Sequence, residues 1–75
     1  MDERKLHEEM VKKTGEIKEV ASIFIGDVCV IIAPDKEYLG KCIKVMVELV
    51  RDRYKVRGFT SVEDARKWLE TIRRR

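Results

Sequence analysis

The chain predicts a single small α/β domain over residues 1–75, an α-β-β-α-β-α sandwich around a three-stranded mixed sheet. Three observations carry this. Two β-rich runs are joined by Gly26-Asp27, three charged segments repeat apolar residues at helical spacing, and a lone proline, Pro34, punctuates a chain without linker or internal repeat. At 75 residues and 8.9 kDa such a chain buries only about 60% of its unfolded surface, so it is marginal alone and self-association is expected.

The first helix spans residues 2–14. Leu6 and Met10 lie one turn apart with Val11 beside them, and Glu3, Arg4, Lys5, Glu8, Glu9, Lys12 and Lys13 fill the other positions, an amphipathic pattern. Asp2 is its expected cap and Gly15 its stop.

Strands follow at 17–25 and 28–33. A two-residue Gly-X connection predicts a type II′ hairpin, which sets Ile25 opposite Val28, Phe24 opposite Cys29, Ile23 opposite Val30, Ser22 opposite Ile31 and Ala21 opposite Ile32. One face then carries Ala21, Ile23, Ile25, Val28, Val30 and Ile32. The other carries Val20, Phe24, Cys29, Ile31 and Ala33, with Ser22 as its polar member. A hairpin apolar on both faces must be covered on both, by helices or by another subunit.

Pro34 ends the second strand, and Asp35 caps a helix over 35–52 with Tyr38, Leu39, Cys42, Ile43, Met46, Val47, Leu49 and Val50 as apolar members. Gly40 weakens this helix and is expected to mark a close approach to the sheet. Residues 54–59 alternate Tyr54, Val56 and Gly58 with Lys55, Arg57 and Phe59, which predicts a third strand at an edge or half-exposed position. A strand-helix-strand order predicts a right-handed crossover, hence a third strand parallel to the second. The final helix, 61–73, opens on Thr60-Ser61-Val62-Glu63, a capping-box pattern with Thr60 as the cap, and its core stripe is Val62, Ala65, Leu69 and Ile72 with Trp68 alongside.

Charge is unevenly divided. Residues 1–37 hold 6 basic and 9 acidic side chains and residues 38–75 hold 11 and 5, which sum to the net +3. The chain lacks Asn and Gln and is rich in Lys, Arg, Glu, Val and Ile, a composition seen in hyperthermophiles, so a thermophilic source is expected. No apolar run approaches the roughly 20 residues of a membrane span, and Met1-Asp2-Glu3-Arg4-Lys5 lacks the apolar core of a signal peptide; the expected location is cytoplasmic.

The two cysteines, Cys29 and Cys42, fall far short of a disulfide framework, although a bridge between them is compatible with a thermophile's cytosol. Both read as small buried apolar residues. His7, the single histidine, reads as a solvated position on the first helix, Asp27 as a turn residue and Asp35 as a cap. Gly26, Gly40 and Gly58 match neither the Rossmann nor the P-loop spacing. No catalytic constellation, metal site or cofactor is expected.

Tyr54-Lys55-Val56-Arg57-Gly58-Phe59-Thr60-Ser61-Val62-Glu63-Asp64-Ala65-Arg66-Lys67-Trp68-Leu69 resembles the ending of SpoIIAA-like proteins of the STAS superfamily, where a short strand ending in Phe precedes a capped helix with Ala-x-x-Trp-Leu. The resemblance implies a STAS-type α/β sandwich. The phosphorylated Asp-Ser turn of STAS anti-sigma antagonists is not matched, because the corresponding turn reads Ala33-Pro34-Asp35-Lys36-Glu37, and no phospho-switch is implied. The first helix, hairpin and second helix also resemble a Roadblock domain, a dimeric scaffold for small GTPases. Both resemblances imply a protein-binding module without activity of its own.

The sequence therefore predicts a small non-enzymatic interaction or regulatory module, homodimeric, with Val20, Phe24 and Ile31 of the hairpin, or the edge of the third strand, meeting a second copy. The alternative is a basic nucleic-acid-binding domain that uses Lys55, Arg57 and the terminal Arg73, Arg74 and Arg75.

Overall fold

The computed structural model describes residues 2–15 and 19–73. Its elements run α1 (Glu3–Thr14), β1 (Ala21–Ile25), β2 (Val28–Ile32), α2 (Lys36–Val50), β3 (Lys55–Phe59) and α3 (Val62–Arg73). This is the expected α-β-β-α-β-α order around a three-stranded mixed sheet.

The caps set the helix ends. The Asp2 carboxylate accepts from the Lys5 amide at 2.9 Å, and Gly15 closes α1 at φ +70°, its amide donating to the Lys12 carbonyl. Asp35 caps α2 by accepting from the amides of Glu37 and Tyr38. That helix stops at Val50, because Arg51 takes φ +53° while its amide still bonds the Val47 carbonyl. In α3 the cap is Ser61 rather than Thr60: its hydroxyl accepts from the Asp64 amide at 3.1 Å, and the Ser61 carbonyl accepts the first helical bond from Ala65. Both Thr60 and Ser61 can cap; the helix starting at Val62 selects the residue directly before it.

The hairpin adopts the register set by its turn, with Ala21↔Ile32, Ile23↔Val30 and Ile25↔Val28 on one face and Ser22↔Ile31 and Phe24↔Cys29 on the other. Gly26 at φ +57° supplies the left-handed first turn position, while Asp27 stays at negative φ, as type II′ requires. Strand β1 is shorter than the expected 17–25. Residues 16–18 lie outside the described residues, and the ladder ends at Ala21 for a chemical reason: the next hydrogen-bonded rung would need an amide from Pro34, which has none.

Strand β2 is central, with β1 antiparallel on one side and β3 parallel on the other. Hydrogen bonds from the Lys55 amide to the Asp27 carbonyl and from the Ala33 amide to the Phe59 carbonyl extend the parallel ladder at both ends. Cys29, Val30 and Ile31 are completely buried, which is why β2 reads as an unbroken apolar run. Each such aliphatic side chain stabilises the fold by about 1.5–3 kcal/mol.

Helices cover the two faces unequally. Leu6 and Met10 of α1 and Tyr38, Leu39, Cys42, Met46 and Val50 of α2 pack with Cys29 and Ile31. The opposite face holds Val28 and Val30 under α3, whose Ala65 is buried there with Phe59, Trp68 and Leu69 packed around it. The close approach of helix to sheet is at Gly58, not Gly40. A Cβ at Gly58 would collide with the Ile43 side chain and come within 3.1 Å of Leu39, whereas Gly40 is exposed with nothing within 4 Å.

A candidate interaction surface beside the first strand

The hairpin residues expected at an interface separate in the fold. Ile31 is fully buried beneath the α1 and α2 side and has no surface to offer a partner. Phe24 is half-buried on that face, its ring standing edge-on to Tyr54 with centroids 5.2 Å apart. Val20 is half-buried against the same core. This face of the hairpin is thus covered within the chain, at least from Ile31 to Phe24.

The other face is where cover runs short. Helix α3 packs on β2 and β3, and between it and β1 runs a groove of about 360 Å³ lined by Ile23, Ile32, Val62 and Leu69 and by the charged Arg66, Glu70 and Arg73. A second groove, about 380 Å³, adjoins it through the shared residues Ile32 and Val62 and includes Val20, Ala21 and Pro34. Val62, expected in the core stripe of α3, is 57% exposed at the junction. A large apolar residue left this open over an apolar floor marks a surface suited to association.

The two sheet edges differ in chemistry. Strand β3, at one edge, carries Lys55 and Arg57, and the Arg57 guanidinium donates to the Val56 carbonyl at 3.0 Å. In the β3 ladder Lys55 and Phe59 bond inward, to Asp27 and Ala33 at the ends of β2, so by alternation the Val56 carbonyl is one that points outward. A charged side chain occupying that acceptor is a device that keeps other strands away. Strand β1, at the opposite edge, reads Ala-Ser-Ile-Phe-Ile without charge or proline. Because Ile25 and Val28 flank the two-residue turn as a hydrogen-bonded pair, the outward amides and carbonyls belong to Ser22 and Phe24. Among the described residues no backbone group bonds to them.

The basic residues of the alternative reading come together only in part. Lys55 and Arg57 line a groove of about 320 Å³ with Trp68, Thr71 and Asp27. Arg73 lies in the groove on the other side of α3, while Arg74 and Arg75 lie outside the described residues. Tyr54 and Phe59 sit on opposite faces of the sheet and form no common stacking platform.

His7 is not solvated as expected. It is half-buried, and its Nδ1 shares a 2.6 Å hydrogen bond with the hydroxyl of Ser22, fifteen residues along the chain. The contact explains how the face of Phe24 and Ile31 tolerates a serine: each polar group satisfies the other. Among the described residues no group hydrogen-bonds to the second ring nitrogen of His7.

Both cysteines are buried as thiols in the α1/α2 core. Burial, reinforced by the negative charge of Glu3, pushes the Cys29 thiol up to about 11. A thiol so shifted is almost wholly protonated near neutrality and is a poor nucleophile. Among the described residues no group of three His, Cys, Asp or Glu side chains could hold a metal ion, and no helix is long and apolar enough to cross a membrane.

The chain matches no protein-family model, no curated protein sequence and no solved structure.

Proposed function

We propose that this chain is a small non-enzymatic protein-interaction module that works as a homodimer. One observation carries the reading: a charge-free open strand edge lies beside an apolar groove in which Val62 is 57% exposed. Among the described residues the other large apolar side chain left exposed is Val47 on α2, and covering the Val62 side would add burial that so small a chain lacks.

Light scattering in the presence of reductant tests it. The expected mass is twice the 8.9 kDa of the chain. Ala21 is exposed on β1, so Ala21→Arg is compatible with the single-chain fold and should return the mass to that of one chain with an unchanged circular dichroism spectrum. A wild-type mass of one chain from micromolar to millimolar concentration would remove the reading.

A second reading, a nucleic-acid-binding domain, is favoured by the shared groove of Lys55, Arg57 and Trp68. Against it stand Asp27 in the same groove and the engagement of Arg57 on its own strand. Binding of this kind must weaken steeply with salt. Affinity for single-stranded DNA that is unchanged between 50 and 200 mM salt, or absent at low salt, would dismiss it.

A further inference from the structure

Resting on the homodimer reading above, we infer that the second copy docks edge to edge, β1 pairing antiparallel with β1 of its partner about a two-fold axis at Ile23. The two sheets then join into one of six strands. The hydrogen-bonding pattern permits this register. Ser22 and Phe24 hold the outward amides and carbonyls, and an axis at Ile23 sets Ser22 of one chain opposite Phe24 of the other as a bonded pair. Ile23 then meets its own copy at a non-bonded position, where side chains approach most closely.

The same axis brings the grooves together. Ala21, Ile23 and Ile25 of both chains form one apolar strip in the middle of the joined sheet, on the face that α3 leaves open. The groove-facing side of α3 carries Arg66, Glu70 and Arg73, which line one groove together with Ile23. A two-fold operation reverses the direction of the helix, so about a point level with residue 68 Arg66 faces Glu70 of the second copy and Glu70 faces its Arg66. The order of charge is self-complementary, as an isologous interface requires. The other sheet edge is less suited to this role, because it carries Lys55 and Arg57 and the Arg57 guanidinium donates to the outward Val56 carbonyl.

Site-directed cross-linking tests the geometry. Antiparallel non-bonded partners lie about 4.5 Å apart at Cα, within the range a disulfide spans. Ile23→Cys should therefore be captured as a covalent dimer under mild oxidation, at least about tenfold faster than Lys55→Cys on the opposite edge. The wild-type cysteines do not compete, since both are fully buried. As an independent arm, Arg66→Glu should raise the dimer dissociation constant roughly tenfold through two symmetry-related pairs, and Arg66→Glu with Glu70→Arg should restore it. If wild-type chains have twice the single mass but Ile23→Cys cross-links no faster than Lys55→Cys, this geometry is overturned while the homodimer reading survives. If wild-type chains have the mass of one, both fall. If Ile23→Cys fails to fold, the charge-swap pair decides alone: a double swap that does not recover the affinity lost by Arg66→Glu overturns the inference.

Discussion

The ring of Phe24 stands edge-on to that of Tyr54, centroids 5.2 Å apart and planes at 72°, tying the edge strand β1 to the segment that enters β3. Phe24 therefore belongs to the core of its own chain. Phe24→Ala is expected to cost the fold about 2 kcal/mol, less than for a fully buried aromatic because the side chain is half-buried. Phe24→Asp should cost more, and should lower the unfolding midpoint instead of dissociating a dimer of intact subunits. Urea unfolding of the two variants checks this; an unaltered midpoint for Phe24→Ala would show that the ring contact contributes nothing.

Two glycines should respond in opposite directions to alanine. Gly40 is exposed in the middle of α2 with open space at its Cβ position, so Gly40→Ala should stabilise by up to about 1 kcal/mol. Gly58 lies beneath Ile43 and Leu39, so Gly58→Ala must displace them and should destabilise by about 1–3 kcal/mol. Thermal unfolding of the pair gives both signs in one experiment.

Arg51 holds φ +53° without being glycine. Relief of that strain, of order 1–3 kcal/mol, exceeds the extra unfolded-state freedom of glycine. Arg51→Gly should therefore stabilise by about 1 kcal/mol, read as a raised melting temperature. A lowered one would mean the arginine side chain contributes more than its backbone costs.

The Cys29 thiol gives a pH dependence with a defined sign. Its folded value, about 11, lies above the ordinary 9.0, with burial the main cause and Glu3 the second. The folded state thus favours the neutral thiol. The associated stability is fully present below pH 9 and is lost as the pH rises toward 11, because the unfolded chain ionises first. Cys29→Ala should flatten that part of the stability profile. Alkylation at pH 8 should reach neither buried thiol until the chain unfolds, and rapid labelling of the native protein would contradict the burial.

Local chemistry made much of the fold legible. Gly26-Asp27 fixed the hairpin register because strand side chains alternate with a period of two, and Asp2, Gly15 and Asp35 marked helix ends through bonds spanning two to four residues. The interaction surface was not legible in the same way. Alternation shows that both faces of the hairpin are apolar, yet it cannot say which helices cover which face: of the residues chosen from it, Phe24 and Ile31 lie on the side that α1 and α2 pack against, while Val20 touches that core and also lines the second groove. The partner of Ser22 is fifteen residues away in His7, and the groove that Ile23 shares with Arg66 and Glu70 joins positions more than forty residues apart. Such pairings depend on how helices pack, which no local pattern encodes. The difference between the two edges was nonetheless visible in composition, with Lys55 and Arg57 on β3 and no charge on β1.

The central claim, that the open edge of β1 is paired with a second copy, is tested most directly by amide hydrogen exchange resolved at Ser22, Ile23, Phe24 and Ile25. In the single chain only the amides of Ile23 and Ile25 point into the sheet. The dimer account predicts that those of Ser22 and Phe24 exchange as slowly as these two at high protein concentration and lose their protection on dilution. Fast exchange at Ser22 and Phe24 at every concentration, with Ile23 and Ile25 protected, would contradict it.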